Sequence, residues 1–258
     1  MRISRMIRDG VPCFAAQLVP SGPWTWIDGP LTAKPVLGDP VPADAVTTGI
    51  PAIDPRLLIG TANTPPAEDG APDPLTVFLK SPHTIAPDGA AIVARSAAGL
   101  VAEAEIAVVI GRTMVSVPAA EALDHVLGYT LVNDVTEQDE VTIDPRLFRA
   151  KNGSAYTPAG RWIDTDLDPA DATISIAVDG RTVASATVAE LHVPIAEQLA
   201  YISEWTVLRP GDVVMTGCPG TAARVRPGQI VEVAATGLGS IRSTVVHPDL
   251  PQRTGDTP

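Results

Sequence analysis

The run LVAEAEIAVVIG (residues 100–111), read with GYTLVND (residues 128–134), decides how this chain is read. Both runs are apolar and rich in β-branched residues, which fit the pleated, half-buried surface of a strand. Glu103 and Glu105 stand two apart in the first run. Side chains on a strand alternate faces, so the two carboxylates share one face, with Cβ atoms about 7 Å apart. Such a pair is either a solvated strand face or the start of a cation site. Two carboxylates on an apolar strand repel one another and resist desolvation, and a divalent cation resolves both conflicts. Asp134 closes the second run and offers a third oxygen donor. An all-carboxylate set with no nearby His or Cys suits a hard ion: Mg²⁺ or Mn²⁺, with Ca²⁺ also compatible.

Working outward, 258 residues suffice for one large domain, or for a large one with a small appendage. Hydrophobic residues at 45% and charged residues at 19% mark a globular chain. No run approaches the ~20 apolar residues of a membrane span. The opening MRISRMIRDGVPCF has basic residues but neither the apolar core nor the cleavage site of a signal peptide. Cys13 and Cys218 cannot form a disulfide framework, so a reducing cytoplasm is the expected location. A net charge of −12 without a basic patch argues against nucleic acid and anionic membranes as partners.

The 26 prolines and the Val, Ile and Thr content predict a mainly β chain with short helices. Residues 1–30 read as a hairpin, and 30–56 as a Pro-rich connector. RLLIGT (residues 56–61) opens the main domain, ANTPPAEDGAPDP (62–74) is a loop, and LTVFLK (75–80) is a strand ending on Lys80. SVPAAEALDHVL (116–127) predicts a helix burying Leu123, Val126 and Leu127. Asp179-Gly180 predicts a type I′ hairpin turn. Pro194 opens a helix with Ile195, Leu199 and Ile202 on one face, and Pro210-Gly211 and Pro227-Gly228 each turn into a strand. The expected domains are 1–55, a small N-terminal β domain with its connector, and 56–250, followed by a tail at 251–258.

The order of these parts resembles the fumarylacetoacetate hydrolase superfamily. LVAEAEIAVVIG, GYTLVNDV, the Ala150-Lys151 pair, PGDVVMTGCP and PGQIVEVAATGLGSI carry the resemblance over roughly residues 56–246. It implies a mixed β-sandwich roll and a homodimer. It also implies Mg²⁺ or Mn²⁺ held by Glu103, Glu105 and Asp134. Family substrates are small oxo acids or enols that can chelate the ion through two oxygens; the cation then stabilises enolate charge as a Lewis acid. Lys151 matches the lysine of a family strand beside the metal, and Lys80 that of its F-x-K strand. Either can hold substrate charge or pair structurally with the carboxylates.

Three departures bear on the reaction. The family's N-Y-x-x-H-x-x-E segment is replaced by GTANTPPAEDGAPDP, which has no histidine, leaving Glu68 or Asp69 near the acid's position. Gln138 stands where the N-D-x-S-x-R-D motif has arginine. Cys218 stands where the T-G-T-P loop has its second threonine, in Thr216-Gly217-Cys218-Pro219. Thr216, Gly217, Cys218 and Gln138 are therefore candidate substrate contacts, as is Lys80. His192 and His83 are candidates for acid–base work. The long 135–151 segment resembles the branch that isomerises 2-hydroxyhepta-2,4-diene-1,7-dioate or decarboxylates 5-carboxymethyl-2-oxo-hex-3-ene-1,7-dioate in aromatic catabolism. That resemblance implies a metal-dependent isomerase or decarboxylase, with Lys151, Glu68, Asp69 and His192 as catalytic candidates. The alternatives are a C–C bond hydrolase of acylpyruvate-like acids and a non-catalytic binding homologue.

Overall fold

The computed structural model describes residues 1–42, 45, 49–63 and 75–248. The strand Leu100–Ile110 lies at its centre, and its alternation builds two cores. Leu100, Ala102, Ala104, Ile106, Val108 and Ile110 point into the larger core. Ala107 and Val109 point into a second core on the opposite face, the face that also carries Glu103 and Glu105.

Val126–Asn133 pairs antiparallel along one side of the central strand, with Leu131 opposite Ile106 and Val132 opposite Glu105. Val213–Met215 pairs along the other side, and Ala222–Val225 continues that side past Glu103. The sheet runs on through Leu58–Ala62 to the edge strand Thr76–Lys80. Past Val126–Asn133 it passes through Ile163–Asp164 to Arg2–Arg8, Val11–Gln17, Trp24–Asp28 and Val36–Pro40. The N-terminal strands thus extend the same eleven-stranded sheet, and Ile3, Ala16 and Ile27 share a core with Leu58 and Val109. A second, five-stranded sheet contains Thr173–Val178, Arg181–Thr187, Ile230–Ala235, Gly239–Val246 and Ala91–Val93. Its Ile174, Ile176, Val231, Val233 and Ile241 close the larger core against the central strand. The chain is mainly β with few short helices, as its composition implied.

Local readings hold where turn chemistry is strong. Asp179 and Gly180 have φ values of 49° and 78°, as a type I′ turn requires. The helix Ile195–Trp205 buries Ile195, Leu199 and Ile202 on one face. Two readings are corrected. The segment 116–127 is not one helix: Ala119–Ala122 is a single α turn, Leu123–His125 is 3₁₀, and Val126 already pairs with Ile110. Leu123 is 47% exposed rather than part of a buried stripe. One turn cannot offset its own nucleation cost, and Val126 and Leu127 gain more in the central sheet. Lys151 ends a short helix, Phe148–Lys151, rather than lying on a strand. The chain enters that helix through Leu147 with φ 60°, a left-handed conformation that sets the direction of the following turn.

Candidate metal centre

Two neighbouring strands bring the carboxylates together. The central strand presents Glu103 and Glu105 on one face. Backbone pairing continues past the end of the neighbouring strand, where the Asp134 N–H donates to the Glu103 carbonyl at 2.9 Å. Oxygen atoms of Glu103, Glu105 and Asp134 consequently lie within 4.8 Å of one another. Glu105 and Asp134 are buried, and Glu103 is half-buried.

Two buried lysines face this cluster. Lys80 Nζ donates to Asp134 Oδ1 at 2.5 Å and to the Tyr156 carbonyl at 2.6 Å. Lys151 Nζ donates to Glu103 Oε2 at 2.9 Å and also to Asp134 Oδ2. Lys151 also sits over the Phe78 ring, 4.7 Å from its centroid. Gly60, paired opposite Phe78, makes room for that ring: a Cβ there would come within 2.3 Å of it.

The charges are unequal in comfort. Burial raises the Glu105 pKa well above the usual carboxylate range, and Asp134 and Glu103 add repulsion; the Gly217 N–H, donating at 3.0 Å, only partly offsets this. Asp134 is also opposed by burial, yet Lys151 and Lys80 outweigh it and hold the carboxyl low. Burial works against the Lys151 ammonium too, but Asp134 and Glu103 raise its pKa overall. For Lys80 complete burial wins over Asp134 and lowers the pKa. Ionised throughout, three carboxylates against two ammoniums leave one net negative charge in a desolvated place. A divalent cation fits this donor set: the oxygens are hard, convergent and short of positive charge.

The structure brings together Glu103, Glu105, Asp134, Lys80, Lys151 and the 216–218 turn. Thr216 is buried, and its hydroxyl is committed to the Ile106 carbonyl at 2.8 Å. Gly217, at φ 81°, turns its N–H onto Glu105. Cys218 Sγ lies 3.6 Å from Glu103 Oε1. Burial and then Glu103 and Glu105 push that thiol up, which disfavours the thiolate. Gln138 is exposed at the start of the Gln138–Val141 helix, and Glu137 beside it is the buried residue. His192 and His83 are exposed. His125 and His247 ring nitrogens lie near the carbonyls of Thr113 and Arg95. Glu68 and Asp69 lie outside the described residues.

Some supporting groups were not foreseen. The Thr136 hydroxyl donates to Glu103 Oε2 at 3.0 Å, and Asn133 Oδ1 accepts the Glu103 N–H at 3.2 Å. Thr136 lies two residues past Asp134, so continued strand alternation was the available hint. The Tyr156 hydroxyl donates to Glu137 Oε2 at 2.7 Å, fixing the segment whose carbonyl directs Lys80. That contact spans 19 residues and leaves no local trace in the sequence.

With the geometry in place, comparison with known proteins settles the family. The model of the fumarylacetoacetate hydrolase C-terminal family matches residues 55–246. The chain belongs to the fumarylacetoacetate hydrolase family. The structure is similar to that of 5-carboxymethyl-2-hydroxymuconate delta-isomerase from Mycobacterium smegmatis. The TM-score is 0.83 at 29% identity, over 96% of this chain and 100% of that one. The 4-hydroxyphenylacetate degradation bifunctional isomerase/decarboxylase of Salmonella dublin is 36% identical over 191 residues, 72% of this chain and 43% of that longer protein. Fumarylpyruvate hydrolase from Pseudomonas aeruginosa, solved with Mn²⁺ and pyruvate, matches with TM-score 0.68 and 26% identity. That match covers 76% of this chain and 91% of the other. The fumarylacetoacetate hydrolase fold therefore carries isomerase, decarboxylase and hydrolase enzymes among these relatives, and this chain brings three carboxylates together within it. Among the described residues no helix is long and apolar enough to cross a membrane.

Proposed function

We propose that this fumarylacetoacetate hydrolase family member is a divalent-metal-dependent isomerase or decarboxylase of 2-oxo or 2-hydroxydienoate acids. One observation carries the reading: a largely buried carboxylate triad faced by two buried lysines, with no histidine hydrogen-bonded to it among the described residues. Glu103, Glu105 and Asp134 would hold Mg²⁺ or Mn²⁺. When bound, the ion supplies Lewis-acid polarisation of a chelating oxo acid. Lys151 Nζ reaches both Glu103 and Asp134, so its ammonium stands beside any oxyanion held at the triad. Lys80 holds Asp134 in place and is itself aimed by the Tyr156 carbonyl. Phe78 and the buried strands around it keep water from the Lys151 side.

Releasing carbon dioxide needs charge stabilisation but no activated water, and moving a carbon-bound proton needs a carrier for that proton, a role open to Glu68, Asp69 or solvent, but no water poised to attack a carbonyl. Attack of water on a carbonyl needs a base, and among the described residues no histidine is hydrogen-bonded to the triad. The similarity to the M. smegmatis isomerase and the Salmonella isomerase/decarboxylase supports the same direction. A second reading, C–C hydrolysis of an acylpyruvate-like acid, is favoured by the resemblance to fumarylpyruvate hydrolase. It would draw its base from Glu68 or Asp69, or from His192 after a rearrangement.

The test is to incubate Mg²⁺- or Mn²⁺-loaded enzyme with a 2-hydroxydienoate and, separately, with an acylpyruvate, following products by NMR. Ketonisation or carbon dioxide release faster than acylpyruvate cleavage is expected. Clean acylpyruvate cleavage alone would overturn the reading and install the hydrolase. Turnover of neither class would favour a binding homologue.

A further inference from the structure

Beyond Ala107 on the carboxylate face of the central strand, Val109 lines a cavity of about 650 Å³. Val109 is four residues from Glu105, about 13 Å at the usual ~3.3 Å rise per strand residue. Packed side chains including Ala107, Met215 and Leu58 occupy the second core between them. The cavity's walls are largely apolar, with Phe14, Leu31, Ile53, Leu57 and Val207 among them. Arg56 and Arg209 stand at this cavity, both exposed, and neither has an ion-pair partner among the described residues. Its two acids are already engaged. Asp54 pairs with Arg5 at 2.8 Å. Asp212, buried, accepts the Leu57 N–H at 3.1 Å through Oδ1 and the Arg209 N–H at 2.8 Å through Oδ2.

Asp212 thus pins to one carboxylate the two backbone segments that carry the arginines. The Val213 N–H donates to the Leu57 carbonyl at 3.0 Å and locks the same junction. Lys34 and Arg112 line an adjoining recess that shares Thr32, held by the Ala33 N–H on the Gly111 carbonyl at 2.9 Å. Four basic residues far apart in sequence therefore line two adjoining recesses of a chain whose net charge is −12. Guanidinium groups offer planar paired donors that match a carboxylate, and the volume lies in the ~300–1,000 Å³ range of small-molecule sites.

We propose that this cavity binds an organic carboxylate with an apolar body, its head on Arg56 and Arg209 and its body against the Leu57–Val207 wall. The site is separate from the triad and does not depend on the reaction assigned there. The test uses the full, metal-loaded chain and the fluorescence of 8-anilinonaphthalene-1-sulfonate, an apolar anion, displaced by decanoate or by decylamine. Expected is a single saturable site from which decanoate displaces the probe and decylamine does not. Arg56→Gln and Arg209→Gln should each weaken binding about tenfold, and Val207→Trp, which crowds the apolar wall, should weaken it as well. Arg181→Gln, an exposed arginine on the hairpin of the second sheet, should change nothing. Circular dichroism confirms that each variant is folded. Absence of saturable probe binding, parental affinity in the Arg56→Gln/Arg209→Gln double variant, or equal competition by decylamine would overturn the proposal.

Discussion

Glu105 is the residue on which the metal assignment presses hardest. Its pKa is raised first by burial and then by Asp134 and Glu103. A carboxyl with a raised folded-state pKa contributes stability below its unfolded pKa and loses it as pH rises through the folded value. Without a cation the protein should therefore lose part of its stability as pH climbs above the usual glutamate range. Asp134 has the opposite sign: its depressed pKa contributes stability above the unfolded value and loses it as pH falls through the folded one. A cation competes with protons for Glu105, so the Tm gained on adding Mn²⁺ should be larger at pH 8 than at pH 5. Calorimetry at neutral pH in buffers of different ionisation enthalpy should register proton release. A Tm gain independent of pH would remove Glu105 from the ligand set. Lys151 makes a separate expectation. If its ammonium faces developing negative charge, Lys151→Ala should lower kcat/KM by roughly 100-fold, the scale of losing one oxyanion donor. A variant that turns over like the parent would make Lys151 a purely structural counter-ion.

At the scale of elements, the central strand and its neighbours hold both cores and the site. Ile106, fully buried in the larger core and one residue past Glu105, should cost about 2–5 kcal/mol on truncation to alanine, read from urea unfolding. Gly60 gives a sharper test because its space is taken by the Phe78 ring. Gly60→Ala should push that ring off its seat, costing about 1–3 kcal/mol by overpacking. Loss of Mn²⁺ affinity in the same variant would show that the Phe78–Lys151–Asp134 chain transmits the shift. Much of this layer was legible in the sequence because strand alternation puts Glu103 and Glu105 on one face and Asp134 ends the adjoining run. Turns at Asp179-Gly180 and Pro210-Gly211 were legible through their own local chemistry. The segment 116–127 misled because its apolar spacing fits a helix, while its fate was decided by pairing of Val126 with Ile110. Lys80 and Tyr156 meet across 76 residues, so no spacing rule could pair them.

For the whole molecule, the N-terminal 1–55 segment is proposed as a unit of its own in sequence that shares the sheet and second core in space. Ile3, Ala16 and Ile27 pack with Leu58 and Val109, so deletion of residues 1–55 should leave apolar surface exposed and an aggregation-prone remainder. The homodimer implied by the family resemblance is also a proposal. Light scattering at micromolar concentration should return twice the mass of one chain, and a single-chain mass would remove it. Spatial convergence of residues 34, 56, 112 and 209 could not be read from a linear charge pattern, since the fold alone brings them to two adjoining recesses. The triad of Glu103, Glu105 and Asp134 is proposed as a divalent-metal centre. Its most direct test is calorimetric titration of Mn²⁺ into the parent and into Glu103→Gln, Glu105→Gln and Asp134→Asn, each first shown to be folded by circular dichroism. One Mn²⁺ per chain is expected in the parent, with loss of that binding in all three variants; binding in the variants equal to the parent's would contradict the assignment.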